Sequence, residues 1–185
     1  DALEQLGFKV EGQALNNAFK AFKEVADRKK QVTALDLEAI VSDEMRDRSE
    51  AHELAWFEVE AGSRREPVAK VAVTLPSGEE SVGESSGDGP VDAIFRAIQA
   101  ATATECELVQ YTVEAVTGGE DALGEVTVML RAAGRLATGQ GVATDILEAS
   151  ARAYVRALSN ALEGAATREA EAATAEAAVE RTPGP

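Results

Sequence analysis

The chain has 185 residues, enough for one ordinary domain with a real core plus an appendage. Its apolar fraction is 45% and its aromatic fraction only 4%, so that core must be aliphatic, built from Val, Ile, Leu and Ala. A net charge of −15 argues against nucleic acid and anionic membranes as partners, because binding phosphate requires clustered Lys and Arg.

Residues 1–44 are predicted to be helical. Leu15, Ala18, Phe19, Phe22, Val25 and Ala26 keep the i, i+3, i+4, i+7 spacing of one buried face. Arg28-Lys29-Lys30, the only basic cluster, falls between helices and reads as a solvated turn. Thr33-Ala34-Leu35-Asp36 then resembles a capping box with Asp in place of Glu, and Val32 and Leu37 are placed as its hydrophobic staple. Leu37, Ile40 and Val41 form the apolar face of this second helix, and the resulting hairpin needs a partner surface. Residues 45–52 are charged and aperiodic and read as a linker.

The body of the chain, residues 53–164, contains one unit twice. Residues 54–61 and 67–75 are strand formers joined into a sheet with a more polar strand at 79–86, the last hairpin turning at Ser77-Gly78. Gly87-Asp88-Gly89 leads to Pro90, which fits a first helical position, and Val91, Ile94, Ile98 and Ala101 mark a helix face. In the second copy residues 108–116 form a strand with Val109, Tyr111 and Val113 on one face. Gly118-Gly119 turns the chain and residues 123–130 run back. After Ala133-Gly134, residues 135–138 form the third strand. Gly139-Gln140-Gly141 precedes a helix from about residue 144 to 163 that buries Ile146, Ala149, Ala153, Ala157 and Leu158, with Gly164 as its stop. Setting Gly87 against Gly139 and Gly89 against Gly141 also pairs Ile94 with Ile146 and Ala97 with Ala149. The prediction is an α+β fold of two pseudo-symmetric βββα units, about 53–102 and 105–164, preceded by a small helical subdomain.

Residues 165–185 are rich in Ala, Glu and Thr, a composition that allows either a solvated helix or disorder. The single cysteine, Cys106, excludes an internal disulfide and fits a reducing cytosol, so a cytoplasmic protein is expected. No apolar run approaches the length of a membrane span. The abrupt start inside a helical pattern reads as a fragment of something longer.

A helix N-terminus carries about half a positive charge and several unpaired N–H donors, so both glycine segments suit a carboxylate. Neither matches a dinucleotide fingerprint or a phosphate loop, because no third glycine or Gly-Lys-Ser/Thr follows. The alternative is that the glycines merely turn a strand into a helix. Asp88, Asp92 and Asp145 could accept an ammonium group, or could simply stabilise the helix dipole. Val91, Leu108, Tyr111 and Val142 could line an apolar pocket or belong to the core. A catalytic constellation is missing from the sequence. His52 is the only histidine, lies in the linker and leaves no Ser-His dyad or His-based metal site to assemble, while Cys106 reads as a half-buried strand residue. Glu79-Glu80 and Glu120-Asp121 fall at turns and read as solvated.

The segments 87–93 (GDGPVDA) and 141–158 (GVATDILEASARAYVRAL) strongly resemble the C-terminal regulatory domain of the 2-isopropylmalate synthase family. Residues 18–32, followed by 36–40, look like the helical subdomain that precedes it. The resemblance covers about residues 1–163. It implies a regulatory, dimerising module that binds L-leucine for feedback inhibition, cut from an acyltransferase whose catalytic barrel holds a divalent metal and condenses acetyl-CoA with 2-oxoisovalerate. No cofactor is expected in this chain itself, and no catalytic residue. The positions that match the family's leucine motif are Gly87, Asp88, Gly89, Val91 and Asp92 on the first loop. Leu108, Tyr111, Ala115 and Ala122 correspond on the second unit's strands, and Val142 lies beyond the second loop. The expected partners are L-leucine and a second copy of the chain. The alternatives are the isoleucine-sensing regulatory domain of citramalate synthase, which shares the fold, and a dimerisation module without a ligand. Thr144-Asp145-Ile146 and the run 149–154 look more like the leucine enzyme.

Overall fold

A computed structural model describes residues 12–28, 32–33, 36–37, 39–41, 52–116 and 122–180. The expectations for residues 1–11, Lys29-Lys30, the linker before His52, Gly118-Gly119, Glu120-Asp121 and the last five residues lie outside these. Helix α1 (Gly12–Arg28) is followed by two units in series. The first comprises β1 (Glu53–Gly62), β2 (Arg65–Thr74), β3 (Glu80–Ser86) and α2 (Pro90–Thr102). The second comprises β4 (Glu107–Ala115), β5 (Gly124–Ala132), β6 (Arg135–Ala143) and α3 (Ile146–Glu180). Each unit has its own three-stranded antiparallel sheet, in the orders β1-β2-β3 and β4-β5-β6. The α+β reading with a doubled βββα unit is therefore what the chain adopts.

The central strands alternate as their sequence demands. Ala69, Val71 and Val73 of β2, and Val126, Val128 and Leu130 of β5, are fully buried under the helices. They join Ile94, Ile98, Tyr154 and Leu158 in one continuous core that spans both units. α3 touches both α2 and β1 of the first unit, so neither unit closes its core alone. Three aromatics sit at this junction, where Phe95 of α2 stacks on Tyr154 of α3 at 4.3 Å and meets Tyr111 of β4 edge-on at 5.9 Å.

The expected alignment of the two glycine pairs is corrected. β6 does not end at Thr138 but runs to Ala143, so Gly139 and Gly141 are strand residues and not a loop before a helix. A Cβ at Gly139 would collide with Ala153 O and Ala157 N of α3, and one at Gly83 would collide with Ala97 O and Ala101 N of α2. Gly83 is thus the counterpart of Gly139, and Ala97 the counterpart of Ala153. Both glycines let a strand lie directly on a helix backbone. The assumed alignment was displaced by four residues. Such a slip keeps strand parity and is close to one helical turn, so the apolar pattern cannot reveal it.

A second correction concerns β4. Leu108 pairs with Leu130 and Gln110 with Met129, leaving Val109 as an extra residue in a β-bulge. Val109 therefore leaves the face that Tyr111 and Val113 share, and Leu108 joins it. β1 carries a matching bulge between Leu54 and Trp56. Gly164 does not stop α3, which continues to Glu180. Instead Arg135 donates to the Gly164 carbonyl at 2.8 Å and its guanidinium fills the space a side chain would need.

At the N-terminal helices, the Asp36 carboxylate accepts from the Thr33 N–H at 2.7 Å and hydroxyl at 2.9 Å. The Asp36 N–H in turn donates to Thr33 Oγ1 at 3.2 Å, a reciprocal capping box as read from the sequence. Ile40 and Val41 are buried as expected. Phe19 is not. It is 61% exposed beneath the Lys23 ammonium, because the buried stripe of α1 runs through Ala18, Ala21, Phe22 and Val25.

The β5–β6 hairpin turns at Ala133 and Gly134 with positive φ at both, 47° and 71°. Ala in the left-handed region is strained, so Ala133→Asn should stabilise the chain by about 0.5–1 kcal/mol, read as a higher urea midpoint at unchanged slope. A lower midpoint would mean that Ala133 makes a contact worth more than the strain.

Candidate functional site

The two matched helices begin differently. α3 is closed by its own cap, with Asp145 Oδ1 accepting the Leu147 N–H at 2.8 Å and Asp145 O accepting the Ala149 N–H at 3.0 Å. α2 has Gly89 at the cap position, and among the described residues no side chain caps it. Its first helical residue is Pro90, and its first closing bond runs from the Ala93 N–H to Gly89 O at 2.9 Å. The N–H groups of Val91 and Asp92 in the first turn of α2 have no side-chain cap among the described residues, and Pro90 contributes no donor. Asp145 therefore serves its own helix and is not a free acceptor for an ammonium group.

The loop before α2 is held from within. The Gly87 N–H donates to Pro67 O at 3.1 Å, and the Asp88 N–H donates to Asp92 Oδ2 at 3.0 Å. Arg96 pairs with the same oxygen at 2.9 Å. A Cβ on Gly87 would press on Ala93 N and on Asp92 Oδ2, so this position is structural. Gly89 is different: its φ of −156° and ψ of 170° are extended backbone that any residue adopts, and a Cβ there would meet nothing. Asp88 is exposed, while Val91 packs at the edge of the main core.

The bulge at Val109 places Leu108, Tyr111, Val113 and Ala115 on one face of β4, the face whose partners Leu130, Val128 and Val126 lie under α3. α3 does not reach across to β4 at its ends. Leu108 is 44% and Val113 46% exposed, and Ala115 is exposed as well. Tyr111 lies between them, half-buried. Its hydroxyl is 2.8 Å from Ser150 Oγ, and Ser150 donates in turn to Ile146 O at 2.6 Å, so the tyrosine is the donor to the serine. Since Phe95 of α2 meets the Tyr111 ring, the open strand face and the open helix end belong to neighbouring elements. Ala122 lies two residues before Gly124, the partner of Ala115.

Val142 is not brought to this face. It pairs with Glu125 on the opposite side of the second sheet and is buried with Leu123 and Ile40. Asp92 is committed to the loop and to Arg96. The reading of the sequence missed Phe95 and Ser150. The signal available for Ser150 was a small polar residue on the buried face of a helix.

Burial at the helix junction pushes the Cys106 thiol up and the Tyr154 hydroxyl far up. His52 is pushed down, also by burial, with Glu163 opposing, and its carbonyl accepts from Ser159 Oγ at 3.3 Å. Among the described residues no group of three His, Cys, Asp or Glu could hold a metal ion. No described helix is long and apolar enough to cross a membrane.

A family profile for the LeuA allosteric (dimerisation) domain matches residues 31–162. The chain is 47% identical over 163 residues to 2-isopropylmalate synthase of Crocosphaera subtropica, covering 88% of this chain and 30% of that protein. It is 45% identical over 163 residues to the protein of the same name from Carboxydothermus hydrogenoformans, covering 88% and 32%. Against that of Microcystis aeruginosa it is 47% identical over 156 residues, covering 84% and 29%. The chain thus spans about three tenths of the length of these curated relatives. With most of its length under the profile and a doubled βββα fold, the chain belongs to the LeuA allosteric (dimerisation) domain family.

Proposed function

We propose that this chain is the leucine-sensing regulatory part of a cytoplasmic 2-isopropylmalate synthase, an enzyme that joins acetyl-CoA to 2-oxoisovalerate in a separate metal-dependent catalytic part. L-Leucine lowers that activity from a distance. Its carboxylate takes the N–H donors at the start of α2, beside Gly89, and its isobutyl group lies on the open apolar face of β4 formed by Leu108, Tyr111 and Ala115. Val91 borders the same region, and a second copy of the chain closes it.

The observation that carries this reading is the asymmetry of the two helix starts. One is sealed by Asp145, whereas the matching one carries Gly89 and no side-chain cap. The exposed Leu108 and Val113 support the second half, since an apolar strand face of this kind asks for a cover. Inhibition then requires that leucine bind two states of the enzyme with different affinity.

Calorimetric titration of the chain with leucine, isoleucine and valine tests the proposal. Leucine is expected to bind with the highest affinity and with a negative heat-capacity change from apolar burial. Preference for isoleucine would move the chain to the citramalate synthase branch. No heat with any of the three would leave a dimerisation module without a ligand.

A further inference from the structure

We infer that α3 is a lever between the effector site and the N-terminal helical segment, and that Arg152 is the positioning residue at its output end. The inference rests on the effector reading above.

The helical segment docks on the second unit at two places. Ile40 is buried with Leu123 and Val142 on the face of the second sheet that points away from α3, with Ala21 and Val25 of α1 packed against them. Past the edge of that sheet, Glu24 of α1 reaches Arg152 of α3, Oε2 to Nη2 at 3.7 Å, while the same guanidinium nitrogen holds Glu148 at 2.7 Å. Val142 therefore packs in the cluster that seats the helical segment.

On its other side α3 touches the proposed effector site. Ser150 receives the Tyr111 hydroxyl at 2.8 Å, and Tyr154 stacks on Phe95 at 4.3 Å. Ser150 and Arg152 are two residues apart, which on a helix is about 200° of rotation. One therefore faces β4 and the other faces α1. A helix in a close-packed core moves as a unit, so a displacement of Ser150 and Tyr154 on ligand binding is delivered to Arg152. The receiving contact is suited to shift. It rests on a small apolar cluster and on one long ion pair whose partners are partly exposed, which places it at the low-stability end of the molecule.

The test combines calorimetry with hydrogen exchange of the 185-residue chain, read on the amides of α1. Saturating leucine is expected to change exchange in α1 of the wild type by a factor of about 5 or more, the usual lower bound of an allosteric coupling. Arg152→Glu gathers three carboxylates, so α1 should exchange fast without ligand and lose its response to leucine. The double reversal Glu24→Arg/Arg152→Glu should restore slow exchange and the response, which separates a broken contact from a misfolded variant. An α1 that keeps its leucine response in Arg152→Glu overturns the lever, as does a wild type whose response is confined to α2 and β4. If calorimetry finds no leucine binding, the effector reading fails by itself. The ligand-free rates then judge the contact: fast single variants rescued by the double reversal uphold it, and equal rates overturn it.

Discussion

Gly89→Val is expected to weaken leucine binding by at least about tenfold while leaving the fold intact. The side chain would stand in the open space before the first turn of α2, where the proposed site would receive the leucine carboxylate. Loss of one hydrogen bond to a charged group costs about 1.5–3 kcal/mol, and 1.4 kcal/mol is already a factor of ten in Kd. The fold should tolerate the change, because Gly89 has extended dihedrals that suit Val and a Cβ there meets no atom. Stability is expected to fall by no more than about 1 kcal/mol, the cost of an apolar residue in place of Gly at a helix N-cap. Calorimetry and urea denaturation on the same sample separate the two effects. Wild-type affinity in this variant would remove the start of α2 from the site. The neighbouring Gly87 is a poorer choice, because a Cβ there strikes Ala93 N and Asp92 Oδ2 and would confound folding with binding.

Gly139→Ala should do the opposite: destabilise the chain by about 1–3 kcal/mol, as overpacking of a close-packed core does. The added methyl would meet the backbone of α3 at Ala153 and Ala157, and neither can move aside as a flexible side chain would. Gly83→Ala should cost a similar amount, since its methyl would meet Ala97 and Ala101 in the same way. Denaturant midpoints of the two variants provide the measurement. If Gly139→Ala kept full stability and lost leucine binding instead, the glycine would be a ligand position.

The capping box at Thr33 and Asp36, the aliphatic core and the two βββα units were legible because they depend on local chemistry and short periods. β2 and β5 alternate, Pro90 opens a helix, and Asp36 stands three residues after Thr33. The family resemblance rested on contiguous motifs and holds for the same reason. The candidate site was legible only in part. Gly89, Tyr111, Leu108 and Ala115 lie on the open helix end and the open strand face, but Val142 lies across the sheet from them. Nothing local distinguishes a valine that faces a ligand from one that seats a helix.

The order and type of the elements, the doubling of the unit and its family are written locally, because hydrophobic period, turn chemistry and motif are all read within a few residues. Tertiary structure alone decided which glycines correspond, since a four-residue slip preserves both the strand and the helix pattern and only the contact of Gly83 with α2 and Gly139 with α3 breaks the tie. It also decided which β4 residues share a face, because one bulged residue at Val109 reverses the parity of those before it. The seat of the helical segment on Val142 and Arg152 lay beyond any local pattern, for it depends on contacts between residues more than a hundred positions apart.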